Sequence, residues 1–388
     1  MRYSYYNPHL NLTLSLKAIF SHKKKAEESI VTYFKKITGK RYILITNSCR
    51  TALYLAYRSI NNNGEVLTSP LTCKVAIDPI KESGNIPVYA DINIGDLNIN
   101  VEDIENRITA DTIAIQAIHI GGVSCDMVKI NAIAQENNLW IVEDCAQSLG
   151  ARYRGVYSGS FGDISCFTLT KNAYGIGGGI LATSSIEIYK KAVEFNKEFK
   201  IVSSKLTIYR FIRNVLETYR NSIVAKYLLV TLSKIKGESY SYDTVKSQLN
   251  KIAPLQMKVS AAQIARLDIL QTKRKSIGSE YYRILRNKNF IHNLDYNIED
   301  SSCTKFFVFN PLLNTKEIIR KFSENSIEAM HLEQKRGSPY QQQIIENRSA
   351  FDAKLFNYLK VHDSLVSLPL REDFSTKEIT LLVNVLVE

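Results

Sequence analysis

The sequence predicts an α/β protein, with a mostly parallel central sheet flanked by helices and a smaller C-terminal α+β unit. Three observations predict it. Between residues 42 and 142, short apolar runs suited to buried strands alternate with helix-like text, the pattern of parallel strands joined by covering helices. Residues 187–250 break that alternation, contain a single glycine and read as helical. From about Leu255 the text turns to a helix and then to mixed α/β. At about 150 residues per domain the 388 residues fit two domains. The division expected is 1–250, holding an atypical basic helical insert at 194–251, and 251–388.

Each element has its own warrant. Tyr42–Thr46 is a short apolar run, and Asn47-Ser48 leads from it into helix-like residues 51–60. Gly64–Thr68 and Ile86–Ala90 open the next two units. Thr112–Ile118 and Leu139–Val142 read as strands around a helical Met127–Asn137, and Ile164–Leu169 as another strand. In the C-terminal part, Ala261–Asn287 reads as a helix, Phe306–Phe309 as a strand and Thr376–Val387 as a closing helix. Sheets of this kind bind ligands beyond the carboxyl ends of their strands, so the residues just after each strand matter most.

Composition narrows the possibilities. Apolar residues make up 45% and charged residues 23%, a globular balance. No two of the six cysteines stand at CxxC spacing and no histidines pair at ligand spacing, so no metal site is expected. Scattered thiols read as cytosolic. The first twenty residues lack the uniform apolar core and cleavage site of a signal peptide, and no apolar run approaches the roughly 20 residues of a spanning helix. The expectation is a cytoplasmic protein.

Three local patterns carry chemistry. Ile141–Ser148 ends a buried strand in Glu143-Asp144, with Gln147 three residues beyond Asp144. A carboxylate there points into the ligand crevice, although an Asp after a strand is equally a helix N-cap. Lys171 follows a strand and precedes a glycine-rich turn, Gly175 to Gly179. A lysine in a partly desolvated crevice has a lowered pKa and attacks carbonyls; a solvated loop lysine is the plainer alternative. The glycines match neither the dinucleotide fingerprint nor the P-loop. Finally, Asn47–Leu53 is a strand-to-helix junction where Ser48, Arg50, Thr51 and free backbone N–H groups make an anion cradle, compatible with plain N-capping by Ser48.

Taken in chain order, the cradle at 47–53, then Asp144, then Lys171, the three patterns resemble the DegT/DnrJ/EryC1/StrS family of pyridoxal-phosphate-dependent sugar aminotransferases, of fold-type I. The resemblance runs through NSCRTALYLA (47–56), VLTSPLTCKVAIDPI (66–80), AIHIGGVSCDM (117–127), IVEDCAQSLGARYRG (141–155), SGSFGDISCF (158–167), TKN (170–172), AAQIARLD (261–268) and SLPLREDFSTKEI (367–379). It implies that Lys171 binds pyridoxal 5′-phosphate covalently and moves the proton, that Asp144 pairs with the cofactor's ring nitrogen, and that Gln147 sits at the ring. It implies Ser48, Arg50 and Thr168 at the cofactor phosphate, with His119, Asn250 and His331 as substrate-side candidates. For His119 a satisfied buried histidine is at least as good a reading. The activity implied moves an amino group from an amino acid, usually L-glutamate, to a nucleotide-linked keto-deoxy-sugar, in a homodimer making surface polysaccharide or another glycoconjugate. A lysine at 171 argues against the dehydratase branch, which has histidine there.

The pattern is departed from in four places. Cys73 stands where an aromatic residue usually stacks on the cofactor. The segment from Phe167 to Lys171 is about two residues short of the common pattern, which leaves the position of Thr168 open. The family's Asn-Arg segment has only Asn250-Lys251 as its counterpart, and residues 194–251 look foreign. The missing aromatic and the shortened lysine segment support the alternative of a non-catalytic binding or regulatory protein on the same fold.

The net charge of +12 invites nucleic acid, an anionic membrane surface or phosphorylated small molecules as partners. No nucleic-acid motif accompanies it, and none of that class of partner is expected. Residues 200–236 hold eight basic residues against one acidic residue, Glu217, and so carry +7 of the +12. Ile208, Ile212, Val215, Tyr219 and Ile223 recur at helical spacing beside a stripe of Arg210, Arg213 and Arg220. That reads either as a helix packed on its own domain or as an interfacial helix on the cytoplasmic face of a membrane, near a lipid-linked sugar.

Overall fold

The computed structural model describes residues 9–60, 63–220, 222–234, 249–285, 298–309, 315–325, 330–331, 355–362, 365–370 and 374–387. Fourteen strands are found among them: β1 (Tyr42–Thr46), β2 (Glu65–Thr68), β3 (Ile86–Tyr89), β4 (Thr112–Ile118), β5 (Trp140–Asp144), β6 (Arg152–Tyr153), β7 (Val156–Tyr157), β8 (Ile164–Thr168), β9 (Gly179–Thr183), β10 (Lys200–Ile201), β11 (Asn250–Lys251), β12 (Phe306–Phe309), β13 (Met330–His331) and β14 (Leu365–Leu368). Seven of them form the central sheet, in the order β1-β9-β8-β5-β4-β2-β3. Neighbours from β3 to β8 are parallel, and β9 runs antiparallel to both β8 and β1. The predicted strands are all present. The reversed strand β9 is not legible in the glycine-rich text before it, because a strand's direction is set by its partners.

Register brings the strand ends to one edge. Thr46 and Thr168 both lie opposite Gly179, and Ile118 opposite Asp144. The segments that follow β1, β4, β5 and β8 therefore leave from the same side of the sheet. Both faces of the sheet are covered. Helix Cys49–Ile60 buries Ala52, Leu53, Leu55 and Tyr57 in one core cluster with Val142 and Leu181. Helices Lys23–Thr38 and Pro254–Ile264 bury Ile30, Phe34, Met257 and Ile264 with Phe167 and Ile180 in another.

The C-terminal residues build a three-stranded antiparallel sheet, β12-β14-β13. Alternation along β12 joins it to the rest of the molecule: Phe306 and Val308 enter a core with Tyr281, Phe322 and Leu382, whereas Phe307 and Phe309 enter the core of the large sheet. Asp91 adds a polar tie by accepting the N–H groups of Asn357 and Tyr358, each at 2.9 Å, at the start of helix Phe356–His362.

Two segments differ from the sequence expectation. The single helix expected over 261–287 is two, Pro254–Ile264 and Leu267–Leu285, divided by a turn at Ala265-Arg266. The stretch read as wholly helical holds helices Ser204–Thr218 and Ile223–Lys234, bracketed by the short parallel pair β10-β11. Within the first of these helices the expected apolar stripe is split. Val215, with Phe211, packs on Leu10, Leu14 and Ile176, whereas Ile208 and Ile212 are exposed. No helix among the described residues is long and apolar enough to cross a membrane.

Candidate active site

A cavity of about 580 Å³ opens at the edge where the strand ends converge, within the usual range for small-molecule sites. Lys171, Asp144, Gln147, Ser48, Arg50 and Thr168 all line it, and Cys73 lines it from the next loop. Residues up to 123 positions apart thus meet because β5 and β8 end side by side and β1, separated from β8 by the reversed β9, ends at the same edge.

Asp144 is the last residue of β5 and is buried. Its Oδ1 accepts the Ala146 N–H at 2.9 Å and lies 3.8 Å from the Cys49 thiol. Burial raises its carboxyl above the ordinary carboxylate range, partly offset by the Ala146 N–H and the positive charge of Lys171. A buried acid facing a cavity is therefore poised to pair with a cation that enters it.

Lys171 is half-buried in the turn after β8. Its neighbour Asn172 fixes that turn. The Asn172 carbonyl accepts both terminal guanidinium nitrogens of Arg274 at 3.2 Å, and its side chain accepts the Thr304 hydroxyl at 2.8 Å and donates to the Leu149 carbonyl at 3.2 Å. Arg274 and Thr304 come from the C-terminal part, 102 and 132 residues along the chain. No local sequence signal announces them, because the burial of Arg274 on helix Leu267–Leu285 appears only in the folded chain.

The anion cradle lies between β1 and helix Cys49–Ile60. Ser48 caps that helix by accepting the Thr51 N–H at 3.2 Å. Gly179, the first residue of β9, presses against it: a Cβ there would lie 2.2 Å from the Ser48 carbonyl carbon and 2.5 Å from the Cys49 nitrogen, so only glycine fits. Asn47, which the site assignment from sequence omitted, lines the cavity with a buried Oδ1 that has no hydrogen-bond partner among the described residues. Thr170, also omitted, lies 2.9 Å from the Thr168 hydroxyl and lines the same wall.

Gln147 is held from two sides. Its Oε1 accepts the Gly121 N–H at 3.2 Å, and its carbonyl accepts the hydroxyls of Ser302, at 2.8 Å, and Thr304. Cys73 is exposed and begins helix Lys74–Glu82. Among the described residues no aromatic side chain lines the cavity.

The substrate-side candidates are distributed differently. His119 is fully buried and is not among the residues lining the cavity. Its Nδ1 accepts the Cys125 N–H at 3.1 Å, which puts its proton on Nε2, 3.1 Å from Glu143 Oε2. Asn250 lies on β11 opposite Lys200 and is not among the residues that line the cavity; the backbone of His331 lies on β13 opposite Val366.

Glu143, beside Asp144, is the anchor of this region. Besides His119 it accepts the N–H groups of Gly159, Phe161 and Gly162 at 2.7, 2.9 and 2.6 Å. Burial opposes its charge, but the hydrogen bonds from His119, Gly162 and Gly159 prevail and hold the carboxyl below its usual range. Glu143→Gln is expected to lower stability by about 3 kcal/mol at pH 7, by turning an amide toward buried donors. A carboxyl depressed on folding stabilises above its unfolded pKa, so the deficit should shrink as pH falls from about 4 through the lower folded value. Urea unfolding of both proteins across that range measures it.

The sequence profile of the DegT/DnrJ/EryC1/StrS aminotransferase family matches residues 16–387. The chain belongs to that family, whose chemistry is pyridoxal-phosphate-dependent. More particularly, it is 38% identical over 162 residues to the spore coat polysaccharide biosynthesis protein SpsC of Bacillus subtilis, covering 41% of this chain and 42% of that one. It is 26% identical over 363 residues to the dTDP-3-amino-3,6-dideoxy-alpha-D-galactopyranose transaminase of Aneurinibacillus thermoaerophilus, covering 90% and 86%. Its fold is that of Helicobacter pylori PseC, an aminotransferase involved in the biosynthesis of pseudoaminic acid, with a TM-score of 0.74, 18% identity, and 99% and 98% of the two chains covered. The matches to several curated relatives, SpsC among them, span less than half of those proteins' length, 42–48%.

The residues present fit the cofactor. A buried acid, a lysine on a pinned turn and a helix N-terminus closed by a glycine face one cavity. The unpartnered Asn47 Oδ1 adds an acceptor. The one poor match is Cys73, which offers no ring to stack.

Proposed function

We propose that this protein is a pyridoxal-phosphate-dependent aminotransferase that moves an amino group from an amino acid, L-glutamate being the expected donor, to the keto group of a nucleotide-linked deoxy-sugar. The observation that carries the proposal is the convergence of Lys171, Asp144 and the Ser48–Arg50 cradle on one cavity. The family and the named activity of the Aneurinibacillus relative support it. The retention of both Lys171 and Asp144 speaks against a non-catalytic role.

When bound, the cofactor supplies an electron sink for the carbanion left when the donor loses its α-proton. Ser48, Arg50 and the first N–H groups of helix Cys49–Ile60 bind its phosphate. Asp144 holds a proton on its ring nitrogen, and the buried setting strengthens that pairing. Gln147, fixed by Gly121, Ser302 and Thr304, orients the ring. Lys171 Nζ takes the proton from the donor's α-carbon and delivers it in the reverse direction to the acceptor's sugar carbon; Asn172, Arg274 and Thr304 hold its turn in place.

The test is incubation of purified protein and cofactor with glutamate and a panel of nucleotide-linked keto-sugars, identifying any amino product by mass. Protein that takes up no added pyridoxal phosphate would sink the proposal. We place the working unit as a homodimer, as the family implies; a monomeric mass by light scattering at assay concentration would reject that.

A second reading gives the acceptor a lipid carrier. It rests only on the exposed apolar residues Ile208, Ile212, Ile223 and Tyr227 beside exposed Lys205 and Lys226, and the named relatives do not favour it. Flotation with anionic but not neutral vesicles would support it; equal, negligible flotation would end it.

A further inference from the structure

We propose that Arg210 and Asn214 form an oxyanion-binding wall of the substrate site, which the protein builds from its own insert. This rests on the amino-transfer reading of the cavity. Both residues line that cavity, although they lie on helix Ser204–Thr218, inside the stretch that departs from the family pattern.

Their placement follows from how the helix is docked. Phe211 and Val215 pack on Leu10, Leu14, Ala18, Ile176 and Val259. The Leu10 N–H donates to the Thr218 hydroxyl at 2.8 Å, and the Leu12 N–H to the Tyr219 hydroxyl at 3.0 Å. Ile176 belongs to the glycine-rich turn that itself lines the cavity. With that face fixed, residues 210 and 214, one helical turn apart, share a neighbouring face, and it is the one turned to the cavity. The Asn214 amide donates to the Arg210 carbonyl at 2.8 Å, which ties the pair together. Helical spacing alone groups Arg210 with Arg213 and Arg220 in one basic stripe. Instead Arg213 is 58% exposed and Arg220 37%, both beside Glu217 at 4.0 and 3.7 Å. Only Arg210 of the three reaches the cavity.

The chemistry follows from the side chain. A guanidinium presents a planar fork that suits carboxylate and phosphate oxygens. Both substrates carry such a group, the donor in its α-carboxylate and the acceptor in its diphosphate. The Ser48–Arg50 cradle sits at a helix N-terminus on another element and is already assigned, under the proposed function, to the cofactor phosphate. Arg210 is therefore assigned to the oxyanion that arrives with substrate. The counterpart of the family's Asn-Arg segment, Asn250-Lys251, is meanwhile engaged in the β10-β11 pair, so this helix supplies an arginine and an asparagine by a different route.

The test compares cofactor-loaded wild type with Arg210→Gln, Arg210→Lys and Arg213→Gln. Calorimetry with glutarate and, separately, with inorganic pyrophosphate reads the two anions without turnover. Arg210→Gln should weaken one of them by at least about tenfold, Arg210→Lys by less, and Arg213→Gln neither. In steady state the KM of the matching substrate, amino donor or nucleotide-sugar, should rise similarly while kcat changes by less than about threefold. Loss of glutarate binding assigns the wall to the donor carboxylate, loss of pyrophosphate binding to the sugar diphosphate. The proposal is overturned if Arg210→Gln, folded by circular dichroism, binds both probes as wild type does. It is equally overturned if that variant fails to retain the cofactor. A wild type inactive on the whole sugar panel would refute the amino-transfer reading and leave the calorimetry to decide on Arg210.

Discussion

Lys171→Ala is expected to lower kcat by at least about 10³-fold, because the proposed function gives this one side chain both the covalent hold on the cofactor and the proton transfer. The fold should survive. Lys171 is half-buried at the rim of the cavity, and the turn that carries it is held by Asn172, Arg274 and Thr304 rather than by the lysine. The measurement is amino-product formation from glutamate and whichever keto-sugar the wild type accepts, with circular dichroism as the control for folding. Dialysis should strip the cofactor from the variant faster than from wild type. Turnover within tenfold of wild type would exclude Lys171 from the chemistry.

Asp144→Asn should reduce kcat by about 10² to 10³-fold, the scale of losing one preorganised electrostatic partner in a buried site. An asparagine carbonyl can still accept the Ala146 N–H that Asp144 Oδ1 accepts now, so local geometry should persist. What disappears is the negative charge that the proposed function sets beside the cofactor's ring nitrogen. In cofactor-free protein the effect has the opposite sign. Burial penalises the Asp144 carboxylate and raises its pKa, so removing the charge should leave thermal stability unchanged or increased. The two results together separate a residue that serves the ligand from one that serves the fold. A variant that loses stability while keeping its kcat would reverse the assignment.

Much of this site is readable before any coordinates. Asp144 ends a strand, Ser48, Arg50 and Lys171 follow within four residues of one, and the strands themselves are announced by apolar runs such as Thr112–Ile118 and Ile141–Val142. Where a chain leaves a buried strand, its next few residues are committed to one edge of the sheet, so residue type there translates into chemistry. His119 also follows a strand, but Glu143 and the Cys125 N–H occupy its ring away from the cavity. Strand-end position alone does not decide which way a side chain turns.

The basic insert shows the same limit in a helix. Periodicity reads one helical face from Ile208 to Ile223, yet the helix ends at Thr218, Val215 packs inward while Ile212 is exposed, and Arg210 meets the cavity while Arg213 meets water. The rotation of a helix about its axis depends on what it lies against, here Leu10, Leu14 and Ile176. That partner surface is assembled from segments far apart in the chain.

By itself, then, the sequence determined the strand–helix order, the cradle after β1, the acid ending β5 and the lysine after β8, because each depends on near neighbours and on the fixed period of strand and helix. The tertiary structure alone decided the reversal of β9 against the cradle, the Arg274 and Thr304 clamp on the lysine turn, and the turning of Arg210 toward the cavity. Those depend on long-range packing, where the steric fit of one glycine or one docked helix face selects among arrangements that local preference leaves equal.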